Sequence, residues 1–192
     1  MRGHDLFRGV AILALLLCYA TILLGGNVAA SDSGLACPDW PSCHGTFFPP
    51  LSGGVAIEWS HRLAAFVLSL SIAALTALGV AAERNRPVLL RLAVGSFGLV
   101  VAQALLGGLV VESTLSTAVV IFHLGLATAL FGVLLVLAFL ANFRQIPRRW
   151  QVWAEKATEE RPTTFSRERT PAADGGRGEG RVPSGLPSPQ SP

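Results

Sequence analysis

The hydrophobic positions of this chain gather into four long runs, roughly residues 9–29, 57–82, 88–111 and 117–142. Polar residues, Gly and Pro cluster between them. Each run reaches about 20 residues or more, the length an α-helix needs to cross about 30 Å of hydrocarbon. A chain of 192 residues, 51% hydrophobic, has too little soluble volume to hide four such segments in a water-facing domain. Lipid offers backbone N–H and C=O groups no partner, so the runs must satisfy them internally as helices. The pattern predicts an all-α fold, a polytopic membrane four-helix bundle.

The connections differ in kind. Residues 30–56 are rich in Gly, Pro, Ser and Asp, and Pro38, Pro41, Pro49 and Pro50 exclude regular helix through most of the stretch. Loops of that length inside a compact fold are often functional. The connection Glu112 to Ser116 is tight and makes the third and fourth runs an antiparallel hairpin. After about Asn142 the composition turns to Arg, Glu, Pro, Gly and Ser. Such a segment buries too little apolar surface to offset its ordering entropy. The organisation read from this is a membrane domain over residues 1–142 and a disordered cytoplasmic tail over 143–192, with Trp150 and Trp153 at the membrane interface.

Charge orients the runs. Arg2 and Arg8 precede the first, Arg84, Arg86 and Arg91 sit between the second and third, and Arg144, Arg148 and Arg149 follow the fourth. Residues 30–56 and 112–117 hold no Lys or Arg. The positive-inside rule then puts both termini in the cytoplasm and two loops outside, in the plasma membrane of a bacterial or archaeal cell. The net charge of +3 is accounted for by this topology, and no nucleic-acid motif claims it. The first run also has the form of a cleavable signal peptide: Arg2 and Arg8, an apolar core from Val10 to Leu24, and Val28-Ala29-Ala30. Cleavage would leave three spans and the same placement of the first loop.

Costly residues mark the candidate chemistry. His61 and His123 lie inside apolar runs, where an ionisable side chain is a functional hypothesis by default. Counted from the outward ends of their runs, both imidazoles fall roughly 6–9 Å below the boundary. Two imidazoles on different helices at one level can ligate one haem iron from opposite faces. A di-histidine metal site without haem would need more ligands at that level, and Glu58 is the one obvious candidate. Glu58 stands i, i+3 from His61 and shares its helix face; the alternative role is a carboxylate at a helix N-terminus. Arg62 either pairs with a haem propionate or snorkels to the surface. Cys37 and Cys43 form a Cys-x5-Cys pair on the oxidising side, either a structural staple or a redox pair open to exchange. Cys18 reads as a small apolar residue, Gln103 as a hydrogen-bonding group within the bundle, and Gly107, Gly108, Gly125 and Gly132 either as close-packing positions or as room for a flat cofactor between helices.

These motifs together resemble the haem A synthase family. The resemblance rests on Gly25-Gly26, the run Ser33-Gly34-Leu35-Ala36-Cys37-Pro38-Asp39-Trp40-Pro41 with Cys43 and Gly45, Pro49, Glu58-x-x-His61-Arg62, Gln103-x-x-x-Gly107-Gly108 and Phe122-His123-Leu124. It covers about residues 9–142 and leaves the tail aside. It implies an oxidoreductase that oxidises the ring methyl of substrate haem O to the formyl group of haem A, with water as the oxygen source, for terminal oxidase biogenesis. His61 and His123 would be axial ligands of a haem, haem b being the family's cofactor. Glu58 would lie beside the substrate, stabilising developing positive charge or handling protons. Cys37 and Cys43 would form an outward disulfide. Haem O synthase, terminal oxidase assembly and the lipid bilayer are the implied partners. Family members commonly carry eight spans in two four-helix halves, and this chain matches the half bearing the Glu and the cysteines. That departure predicts a homo-oligomer. Ala29-Ala30 stands where many relatives carry a polar or basic residue, which leaves propionate contacts open.

Three other functions compete. A bis-histidine haem b electron carrier needs His61 and His123 but has no use for Glu58 or the cysteine loop. A thiol–disulfide protein needs the cysteines and no haem. A non-catalytic haem-handling assembly factor would use the same scaffold.

Overall fold

The computed structural model describes residues 2–143. Trp150, Trp153 and the rest of the expected tail lie outside the described residues. Four helices follow one another: α1 (Arg2–Ala30), α2 (Gly53–Ala82), α3 (Pro87–Glu112) and α4 (Thr117–Asn142). All four are long and apolar enough to cross a membrane, and the chain is a multi-pass membrane protein. The helices overrun the apolar runs at several ends, because helical hydrogen bonding continues into the polar boundary until a breaker stops it. The first helix thus starts at Arg2 and the second at Gly53, whose φ of 48° marks the turn into it. Pro87 opens α3 at a position where its missing N–H costs no bond.

Each helix packs against its neighbours in chain order and α1 closes against α4, so the bundle is a four-membered ring with α2 and α4 on diagonal corners. Short connections make successive helices antiparallel. One end of the bundle therefore carries the N-terminus, the α2–α3 turn and the end of α4. The opposite end carries residues 31–52 and the α3–α4 turn.

The core sits almost wholly toward the termini. Phe7, Ala11, Ala14 and Cys18 of α1 meet Leu68, Ile72 and Leu75 of α2, Leu89, Ala93 and Val100 of α3, and Leu130, Leu134, Leu137, Ala138 and Ala141 of α4. Small residues among them allow close helix approach, which drives association where lipid removes the hydrophobic incentive. Hydroxyls inside the spans return their protons to carbonyls of the preceding turn. Ser69 donates to Ala65 and Thr128 to Leu124, while Thr76 serves both Ile72 and Ala93 across the α2–α3 seam.

An ionic clasp closes the termini end. The Glu83 side chain is fully buried and accepts from His4 Nδ1 at 2.8 Å and from Arg86 Nη1 at 3.2 Å. Arg86 also donates to the carbonyl of Leu140, and Arg8 to that of Ala141. These are carbonyls of the last turn of α4, which have no intrahelical donor. His4 lies inside α1 and so ties that helix to the end of α2.

The other end is roofed by residues 31–52. Gly34 lies so close under Leu115 that a Cβ there would stand 3.0 Å from the leucine Cδ2. Leu115 and its neighbour Thr114 both have positive φ, 62° and 51°. That is a strained conformation for branched side chains, and it turns Leu115 onto the roof. Trp40 covers Gly108 of α3, where an added Cβ would meet its ring at 3.1 Å.

Candidate functional site

The histidines stand on diagonal helices in the loop-side half, where few residues are buried. On α2, the ring of His61 lies against α1. Its Nδ1 is 3.1 Å from the carbonyl oxygen of Thr21. A carbonyl only accepts, so Nδ1 carries the proton and Nε2 keeps its lone pair. The ring needs Gly25 beneath it, since a Cβ there would fall 3.0 Å from Cε1. On α4, His123 lies against α3 in a matching way. Gly107 is its floor, at 3.3 Å from a would-be Cβ to Cε1. Gln103 Nε2 donates to the His123 carbonyl at 2.9 Å and stands 3.3 Å from its Nε2.

The two arrangements repeat. A polar residue precedes a glycine by four positions in α1 (Thr21, Gly25) and in α3 (Gln103, Gly107), and each glycine lies five residues before the loop-side end of its helix, Ala30 or Glu112. At 1.5 Å per residue both glycines are about 7.5 Å from those ends. Sequence reading missed Thr21 and the pairing of each histidine with a glycine. The signal available was the repeated polar-x-x-x-Gly near the loop-side ends of the odd helices. His123 Nδ1 and Gln103 Oε1 are buried without a hydrogen-bond partner among the described residues. Such atoms in a native site ask for an explanation.

Glu58 is 6% exposed, one turn of α2 from His61. Its Oε1 accepts from Arg62 Nε at 2.8 Å. Among the described residues Oε2 carries no hydrogen bond. Arg62 reaches past Glu58 into the loop. Nη1 donates to the carbonyls of Asp39 and Ser42, both at 2.7 Å, and Nη2 to that of Cys37 at 2.8 Å. Cys37 and Cys43 are joined by a disulfide with a Cα–Cα distance of 4.6 Å, and both are buried. Within this ring the Trp40–Pro41 peptide is cis.

Asp39 organises the ring from its own side chain. It accepts from the Ser42 hydroxyl, from the Gly45 N–H at 2.9 Å and from the His44 N–H at 2.6 Å. The Ser42 bond first, then the Gly45 and His44 amides, hold the carboxylate's pKa down to about 2. Partial desolvation pushes the other way without cancelling these bonds. His44 returns to the chain through a bond to the Ala36 carbonyl at 2.9 Å. Trp59 of α2 donates to the Phe47 carbonyl at 2.9 Å. The roof is thus held by α2, by α3 through Trp40 and by the α3–α4 turn.

Among the described residues no three His, Cys, Asp or Glu side chains converge as ligands for a metal ion. Glu58 turns to Arg62, and the site offers paired imidazoles with a buried ion pair beside one of them.

A four-helix membrane protein with histidines on diagonal helices, under a disulfide-closed loop, is the class that fold and site define. The cytochrome oxidase assembly protein family matches residues 8–56 and 53–165, and the chain belongs to that family, which includes the haem A synthases. It is similar to three bacterial proteins named heme A synthase. The protein of Bacillus pumilus is 36% identical over 124 residues, 62% of this chain and 40% of the relative. That of Geobacillus kaustophilus is 35% identical over 123 residues, 64% of this chain and 39% of the relative. That of an Exiguobacterium species is 32% identical over 136 residues, 70% and 44% respectively. The chain spans about two fifths of the length of the curated relatives it matches.

Proposed function

We propose that this chain works in haem A synthesis as a membrane oxidoreductase, taking haem O as substrate and oxidising its ring methyl toward the formyl group, with water as the oxygen source and the electrons passing to a separate electron acceptor. The observation that carries the reading is the pair of histidines, each laid on a glycine of the adjacent helix at the same remove from the loop-side end, with buried Glu58 one turn from His61. The likeness to proteins named heme A synthase supports it.

His61 and His123 would hold a haem. The residues fit such a group. The Thr21 carbonyl leaves His61 Nε2 as a lone-pair donor. The unpartnered atoms of His123 and Gln103 lie where ligation would reorder them. When bound, the haem supplies a redox-active iron tuned by its axial ligands. The bond from His61 Nδ1–H to Thr21 would orient that ligand and raise its basicity. Glu58 would place a negative charge, or a proton acceptor, beside the reacting methyl through its free Oε2. Arg62 has most of its N–H groups engaged, which leaves one on Nη2 for a propionate. The roof, with Trp40 over Gly108, would keep bulk water from the histidines. Loop-outward orientation in the bacterial plasma membrane, with cytoplasmic termini and tail, follows from the arginine distribution.

The test is expression in a host that makes haem O but lacks its own synthase, followed by haem extraction. Wild type is expected to yield haem A, Glu58→Gln to yield little, and His61→Ala and His123→Ala to lose a low-spin haem spectrum. Equal haem A from Glu58→Gln and wild type would sink the role given to Glu58. Haem bound without any haem A from wild type would leave the electron-carrier or haem-handling function instead.

A further inference from the structure

We propose that Arg62 is a positioning residue that couples the Cys37–Cys43 ring to Glu58, so that the closed disulfide sets where the carboxylate stands. The proposal rests on the reading of Glu58 as the group beside the substrate.

The guanidinium is pinned from two sides. Three carbonyls, of Cys37, Asp39 and Ser42, converge on Nη1 and Nη2 at 2.7–2.8 Å. All three belong to the segment that the disulfide closes over a separation of 6 residues. A chain of that length, left open, extends up to about 20 Å, and the disulfide holds its ends at a Cα–Cα distance of 4.6 Å. Asp39 stiffens the same ring through Ser42, His44 and Gly45. With both Nη atoms held, Nε is presented to Glu58 Oε1 at 2.8 Å, and Oε2 is left free. The pair is largely buried, at 15% and 7% side-chain exposure. A buried carboxylate keeps one place only while its cation does. The planar fork of an arginine can serve carbonyls and carboxylate together, which the single ammonium of a lysine cannot. The sequence pointed Arg62 either to a propionate or to the surface; the geometry adds the loop carbonyls as its partners.

The experiment uses the full chain in membranes, in a Cys18→Ser background. Dithiothreitol gives up two electrons and two protons to become its cyclic disulfide, and Cys37 and Cys43 take them as thiols. Maleimide labelling follows the opening. Arg62→Gln is expected to open at about tenfold lower dithiothreitol, the ratio corresponding to loss of one charge-assisted hydrogen bond. Arg62→Lys, the conservative variant, should follow Arg62→Gln rather than wild type. In haem O conversion, Arg62→Gln and Cys37→Ser/Cys43→Ser should each lower kcat about tenfold with KM within about twofold, and combining them should add nothing. An unchanged opening curve in Arg62→Gln, or fully additive losses in the combined variant, overturns the coupling. A wild type that makes no haem A overturns the proposed function instead, and the thiol titration, which needs no activity, then decides the coupling.

Discussion

The two halves of the bundle are built to different ends. Toward the termini every helix contributes buried apolar residues, and Glu83 is locked between His4 and Arg86. Toward the loop the helices carry His61, His123, Gln103 and the Glu58–Arg62 pair, and buried residues on them are few. Packed helix contacts and a satisfied ion cluster hold the first half without help. The second half buries few residues of its helices and is covered by a disulfide-closed roof. If the proposed function holds, a large flat ligand would have to enter this loosely packed half, and the contacts that hold the helices together lie at the far end.

That contrast can be broken at either end. Glu83→Ala removes the shared partner of His4 and Arg86 and should destabilise the protein by about 3–5 kcal/mol, read as a lower thermal midpoint in detergent. Ile72→Ala, in the middle of the packed half, should cost about 2–5 kcal/mol. His61→Ala, in the loose half, should change haem-free stability by less than about 1 kcal/mol. If His61→Ala proves as damaging as Ile72→Ala in haem-free protein, the division of labour is wrong.

Subtler substitutions sharpen it. Gly25→Ala brings a Cβ within 3.0 Å of the His61 ring, whereas Gly107→Ala brings one only within 3.3 Å of His123. Bound haem per protein, by absorbance, should fall in Gly25→Ala and fall less in Gly107→Ala, with helix stability preserved in both. The smallest effect is expected at Asp39. Its folded pKa of about 2 lies below the ordinary 3.8, so its contribution is present above about pH 4 and lost as pH falls toward 2. Hydrogen exchange at the His44 and Gly45 amides should accelerate over that window, and Asp39→Asn should flatten the dependence.

Much of this was legible beforehand. The four spans follow from apolar run length, because lipid permits only one way to satisfy the backbone. Glu58 and His61 share a face because helical geometry turns i and i+3 together. The floor beneath each histidine was not legible. Gly25 and Gly107 appear in sequence only as small residues, and which ring a small residue accommodates depends on the rotation of two helices about their axes. The clasp at Glu83 escaped for the same reason: His4 and Glu83 are 79 residues apart, and only the ring closure of α1 against α2 joins them.

Sequence by itself determined the membrane class, the number of helices, the sites where polar chemistry enters an apolar span, and the family. Its grip came from local physics: hydrogen-bonding demand in lipid, helical periodicity, and the rigidity of Pro and Gly. Tertiary structure decided what each polar group faces. It set the two histidines on diagonal corners, put the Thr21 carbonyl on one imidazole, and turned Arg62 into a pin between a disulfide ring and Glu58. Those partners are mostly backbone carbonyls, which every residue carries alike, so no pattern of side chains along the chain can announce them.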